Sequence, residues 1–128
     1  MVTIDKNNSK PYYEQLVLGI KEEISLGVLS AGERLPSVRE MAKELLMNPN
    51  TVSKAYKLLE AEQVLVTVKG KGTFVKNTAT LPRDEMRIAQ LKERFDALMI
   101  EAYHLKVSPE ELQTWINATH QNQGGPAT

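Results

Sequence analysis

The sequence predicts a mostly α-helical chain with one small β-hairpin, an α+β arrangement in two parts. Three observations predict it. Apolar residues recur at spacings of three and four in five separate segments. After Gln63 that period gives way to β-branched residues around a two-glycine turn. Residues 77–81 then read as a linker before a second helical stretch opens at Pro82. The 128 residues, 41% hydrophobic and 25% charged, suit one ordinary soluble domain with a small appendage.

The first helix is expected from about Pro11 to Leu26. Tyr13, Leu16, Val17, Ile20 and Ile24 share one face, Pro11 suits the first turn and Gly27 the stop. Residues 28–36 read as a turn with a short extended piece, because the residue before Pro36 is pushed towards β. Ser37-Val38-Arg39-Glu40 is a capping box, and Val38, Met41, Ala42 and Leu45 stripe a short second helix. Asn48-Pro49 starts a third helix, with Asn as N-cap and Pro at the first helical position; Val52, Ala55, Tyr56 and Leu59 form its core face. Residues 64–68 are one strand, residues 69–72 the turn, and residues 73–75 the returning strand. In the fourth helix Ile88, Leu91, Phe95, Leu98, Ala102 and Leu105 form an a/d seam. Ser108-Pro109-Glu110-Glu111 opens a fifth helix carrying Leu112, Trp115 and Ile116. Four segments result: residues 1–76 as one domain, 77–81 as linker, 82–119 as a helical dimerisation region, and 120–128 as a flexible tail.

Composition removes several classes of function. There is no cysteine, so a disulfide scaffold, a thiolate zinc site and a cysteine nucleophile are excluded. His104 and His120 lack the carboxylate spacing of a metal site, and no cofactor fingerprint or catalytic constellation appears, so neither a cofactor nor an enzyme is expected. Gly70-Lys71-Gly72 is no P-loop, because its neighbours are strands. No stretch reaches the ~20 apolar residues of a membrane span, and Met1–Asn8 lacks the apolar core of a signal peptide; a cytoplasmic protein is expected. The balance of 16 basic and 16 acidic residues excludes a purely electrostatic, histone-like binder. The charges are nonetheless uneven. Residues 45–59 hold no acid but carry Lys54 and Lys57, and residues 63–76 hold none but carry Lys69, Lys71 and Lys76.

Helix, short helix, three-residue turn, helix, then a hairpin with a basic tip is the order of a winged helix-turn-helix. The third helix would enter a DNA major groove by its N-terminal end. Its core stripe leaves Asn50, Thr51, Ser53, Lys54 and Lys57 facing outward. Asn pairs bidentately with adenine, and a Thr methyl meets a thymine methyl. The glycines of the hairpin tip let its backbone approach closely, while Lys69 and Lys71 supply charge. Arg34 and Arg39 flank the second helix start, placed to clamp phosphate or read guanine. Glu60 and Glu62 lie at the far end of the third helix. Glu40 reads as a cap.

The run Leu35-Pro36-Ser37-Val38-Arg39-Glu40-Met41-Ala42, then Asn48-Pro49-Asn50-Thr51-Val52-Ser53-Lys54-Ala55-Tyr56, then Gly70-Lys71-Gly72-Thr73-Phe74-Val75 resembles the GntR family of bacterial transcription regulators. The resemblance covers roughly Pro11 to Val75. The C-terminal region of about 50 residues, read as two helices, resembles the YtrA subfamily. The resemblance implies a homodimeric repressor on a pseudo-palindromic double-stranded operator, often that of its own operon and of linked transporter genes. It implies DNA contacts from Arg34, Ser37, Arg39, Asn50, Thr51, Ser53 and the wing from Lys69 through Gly70 and Lys71 to Gly72. At two positions the chain departs from the family pattern, with Leu46 and Gln63 where glycine is usual. A non-glycine residue in a left-handed cap costs ~1 kcal/mol, so either these helix ends differ or strain is tolerated.

The rival reading is a winged-helix adaptor between proteins that never touches DNA. It calls for acids or large apolar groups outside the third helix, and that face is polar and basic instead. The heptad seam either packs within the chain or is shared between two protomers; the shared reading is preferred, since two helices cannot cover their own faces. Phe95, Tyr103, Trp115 and Ile116 read as packing rather than as a ligand pocket, and no residues are assigned to a small-molecule effector.

Overall fold

Caps decide where the helices begin. The computed structural model describes residues 2–122 and contains α1 (Tyr12–Ser25), α2 (Val38–Leu45), α3 (Pro49–Ala61), β1 (Leu65–Val68), β2 (Gly72–Val75), α4 (Glu85–His104) and α5 (Pro109–Asn122). Ser37 Oγ accepts from the Glu40 N–H, and the Glu40 carboxylate accepts from the Ser37 N–H, both at 3.1 Å; the expected capping box is formed. Asn48 accepts from the Asn50 N–H at 2.8 Å, with Pro49 at the first helical position. Two helix starts differ from expectation. Pro11 is the N-cap of α1 rather than part of its first turn. Helix α4 begins at Glu85 instead of Pro82, because the Asp84 side chain accepts from the Arg87 N–H and Leu81 has no such acceptor to offer ahead of Pro82.

Helices α1 and α3 pack together, α2 and β1 pack on α3, and Leu16, Ile20, Val52, Ala55 and Leu59 are wholly buried between them. Leu35, Leu65 and Val75 extend this core beneath the hairpin, and Val2 joins it against Gly19. Strands β1 and β2 pair antiparallel, Thr67 opposite Thr73 and Val68 opposite Gly72. The returning strand thus starts one residue before its expected place. The extended piece read at residues 28–36 docks on the other edge of β2. Its Leu35 N–H donates to Thr73 O at 2.8 Å, and the Val75 N–H donates to Glu33 O at 2.9 Å.

Both unusual helix ends are left-handed: Leu46 has φ 53° and Gln63 has φ 63°. The strain is therefore tolerated rather than avoided. Each position closes its helix with backbone bonds, Met47 N–H to Ala42 O after α2 and Val64 N–H to Leu59 O after α3.

The chain divides into two compact units, the first ending at Ala79 and the second beginning at Thr80. In the second unit Ala102 is buried and Ile88 half-buried, whereas Leu91, Phe95, Leu98 and Leu105 of the a/d seam are exposed, as are Trp115 and Ile116 on α5. Among the described residues α4 and α5 do not pack alongside one another. Helix α5 continues to Asn122; residues 123–128, part of the stretch read as a tail, lie outside the described residues.

Candidate nucleic-acid interface

Three segments of the first unit bring the expected residues to the surface. At the start of α3, Asn50 is exposed, Thr51 and Ser53 are half-buried, and Lys54 and Lys57 are exposed. At the start of α2, Arg39 is exposed in the first turn, next to the capping Ser37. These two helices are held in register by Tyr56. Its ring is buried in the core, and its hydroxyl donates to Pro36 O, one residue before the α2 cap, at 2.7 Å. Burial first, and then the charges of Glu40 and Glu44, push the Tyr56 phenol far above its ordinary value, so it remains a donor at any physiological pH.

The third segment is the wing. The Lys71 N–H donates to Val68 O at 2.9 Å, closing a four-residue turn with Gly70 at φ 79° in its third position. Lys69 and Lys71 are exposed at the tip. Arg34 arrives from the strand-like piece docked on β2. Its Nε donates to Lys71 O at 3.3 Å. Gly72, at φ 122°, makes room for this side chain.

Glu40, in the first turn of α2, is engaged in the capping box. The backbone N–H of Ser37 does most to hold its carboxyl below the usual value, followed by the Ser37 side chain; burial opposes them, and Arg34 adds the smallest contribution downward. The cap uses Ser37 Oγ as an acceptor for the Glu40 N–H.

Three contributions went unread in the sequence. The Lys54 ammonium stands 3.9 Å from the centroid of the Tyr13 ring, so α1 supplies a platform for a cation of α3. Arg34 braces the wing turn as well as facing outward. Glu60, read as remote from DNA, accepts a hydrogen bond from Thr67 Oγ1 in β1.

The surface so assembled can bind a polyanion and offers donors at helix starts; among the described residues it holds no metal-ligating cluster, and no helix is long and apolar enough to cross a membrane. The family model for bacterial regulatory proteins of the gntR family matches residues 12–75. The HTH-type transcriptional repressor YtrA of Bacillus subtilis (strain 168) is 41% identical over 116 residues, 91% of this chain and 89% of that protein. A solved structure described as a transcriptional antiterminator from Listeria monocytogenes EGD-e superposes with a TM-score of 0.92 at 38% identity, covering 100% of this chain and 96% of that one. The AraR DNA-binding domain, solved in complex with operator ORX1, superposes with a TM-score of 0.52 at 27% identity over 59% of this chain and 94% of that one.

Proposed function

This chain belongs to the GntR family of bacterial regulatory proteins, a family of non-enzymatic DNA-binding transcription regulators, and from that premise we propose that it acts as a homodimeric repressor on a pseudo-palindromic operator in the cytoplasm. What supports the reading is that Arg39, Asn50, Lys54 and the wing tip are exposed on a single folded unit, with Arg34 joined to the tip through the Lys71 carbonyl. Asn50, Thr51, Ser53 and Arg39 face base edges in the major groove. Lys54, Lys69, Lys71, Ser37 and the backbone at Gly70 and Gly72 meet phosphates or the adjoining groove, and Arg34 joins the two sets. The exposed a/d residues Leu91, Phe95, Leu98 and Leu105, with half-buried Ile88, form the contact between protomers; Ala102, expected in the same seam, is already buried within its own unit. The polar outer face of α3 favours this reading over a protein adaptor.

The test is binding to the duplex that the protein enriches from a random pool, against a scrambled duplex, across a salt series. The selected duplex is preferred by ~10³-fold or more, and affinity falls steeply with salt. Arg39→Ala and Asn50→Ala each lose ~1–3 kcal/mol on the selected duplex and less on the scrambled one, whereas Lys71→Ala weakens both. Equal losses from all three changes on both duplexes would overturn the division into base and phosphate contacts.

A further inference from the structure

We propose that Glu60 is a positioning residue for DNA binding, which fixes the wing to the recognition helix through a chain of two hydroxyl groups. The inference rests on the DNA-binding reading and adds a residue to it. The Glu60 carboxylate, in the last turn of α3, accepts from Thr67 Oγ1 on β1. Thr67 Oγ1 is in turn 3.1 Å from Thr73 Oγ1 on β2. Counting protons sets the direction of the chain. A threonine has one hydroxyl hydrogen, and that of Thr67 goes to Glu60, so Thr73 donates to Thr67. One carboxylate therefore holds both wing strands at a register pair, two residues before Lys69 and one after Gly72.

Residues 33–35 hold the free edge of β2 and Arg34 holds the Lys71 carbonyl, but among the described residues β1 has no strand on its other edge, and its backbone is tied at the outer half only by the short ladder to β2. Leu65 and Val75 anchor the base of the hairpin in the core. Beyond them Phe74 on β2 is half-buried, whereas Val66 and Val68 of β1 are exposed, so apolar packing does little to fix the outer half of β1. The Glu60 chain sits at that outer half. Its charge argues against the alternative of an idle surface acid: a carboxylate on a DNA-binding unit repels phosphate and is useful there only for what it holds in place.

This gives opposite signs for two explanations. If Glu60 only repels phosphate, Glu60→Ala and Glu60→Gln both tighten DNA binding. If it positions the wing, Glu60→Ala weakens binding, and Glu60→Gln does not, because an amide oxygen accepts the same Thr67 hydroxyl. Thr67→Val is a second probe. It keeps the β-branched shape that strands favour and removes only the hydroxyl, so folding is retained.

The experiment uses the full chain, the duplex enriched by the wild type from a random pool, and amide hydrogen exchange of residues 65–75 without DNA. E60A and T67V are expected to speed exchange in the wing and to weaken binding about tenfold, the size of one lost charge-assisted hydrogen bond, while E60Q keeps both properties. Lys71→Ala is expected to cost less affinity on the E60A background than on the wild type, since a displaced wing has already lost that contact. Unchanged wing exchange in E60A, equal tightening by E60A and E60Q, or full additivity with Lys71→Ala would each overturn the proposal. A wild type that enriches no duplex would instead overturn the DNA-binding reading, and the exchange measurement would still decide whether Glu60 holds the wing.

Discussion

The Nε of Arg34 lies 2.7 Å from the point a Cβ on Gly72 would occupy, and the same nitrogen donates to the Lys71 carbonyl at 3.3 Å. Gly72 is therefore needed twice over, for its φ of 122° and for the space above it. Gly70 is needed once: its φ is 79°, and nothing lies within 4 Å of its missing side chain. The two glycines should respond differently to alanine. Gly70→Ala is expected to lower stability by about 1 kcal/mol through backbone strain and, because it leaves Arg34 in place, to cost the folded protein less DNA affinity than Gly72→Ala. Gly72→Ala should also displace the Arg34 guanidinium and reproduce the binding loss of Arg34→Ala. Urea unfolding together with duplex titration separates the two effects, and similar binding by both variants would refute the bracing role of Arg34.

Lys54 over the Tyr13 ring makes a second coupling visible. A lysine has four rotatable carbons, and holding its ammonium near the DNA-facing surface before DNA arrives removes part of the ordering cost. Tyr13→Leu keeps an apolar body on α1 and removes the π face. It is expected to weaken binding to the selected duplex by a few-fold, about as much as a weak exposed cation–π contact supports. On a Lys54→Ala background the same change should do almost nothing, and an undiminished effect there would show that Tyr13 acts without Lys54.

The elements were legible in the sequence where the signal is local. The Ser37–Glu40 box and Asn48-Pro49 name their own helix starts, and alternation with glycine marks the hairpin. The sequence left open whether the chain bends differently at Leu46 and Gln63 or tolerates strain there, because no local signal marks a left-handed non-glycine residue. Contacts between elements distant in sequence were not legible. Tyr13 and Lys54 are 41 positions apart, and Arg34 reaches Lys71 only because residues 33–35 dock on β2. Helical spacing tells which face is buried and leaves open which neighbour an outward side chain meets. The bond from Thr67 to Glu60 went unseen for that reason, since the far end of α3, where Glu60 was placed, is also where β1 passes.

The capping box gives the first unit a specific response to acid. The Glu40 carboxyl is held below its ordinary 4.5, chiefly by the Ser37 N–H. A carboxyl depressed in the folded state contributes stability above its unfolded value, and that contribution disappears as pH falls through the lower folded value. The wild type should therefore lose stability from about pH 4.5 downward more steeply than Glu40→Gln, which keeps an acceptor for Ser37 but cannot titrate there. Urea midpoints between about pH 6 and pH 3 measure the difference, and parallel curves would mean that other carboxylates dominate acid unfolding.

Leu91, Phe95, Leu98 and Leu105 present large apolar side chains to solvent on one seam of α4, and α5 does not pack alongside to cover them. Fully burying such a side chain is worth about 1.5–3 kcal/mol; these are already about half covered, so four from each of two protomers supply roughly 6–12 kcal/mol, the size of a typical association cost of about 4–15 kcal/mol. The two-fold operator of the proposed function needs the same pairing, because two recognition helices must reach half-sites separated by one DNA turn, ~34 Å. A protein cut after residue 80 keeps every core residue of the first unit. It should sediment as a monomer and bind the selected duplex far more weakly, at a level close to its binding of a single half-site. Leu98→Glu in the full chain tests the same surface without a deletion, since pairing would place two carboxylates in an apolar seam. It too should sediment as a monomer while the unfolding of the first unit is unchanged. An 1–80 protein that remained dimeric at micromolar concentration would move the protomer contact out of α4 and into the DNA-binding unit itself.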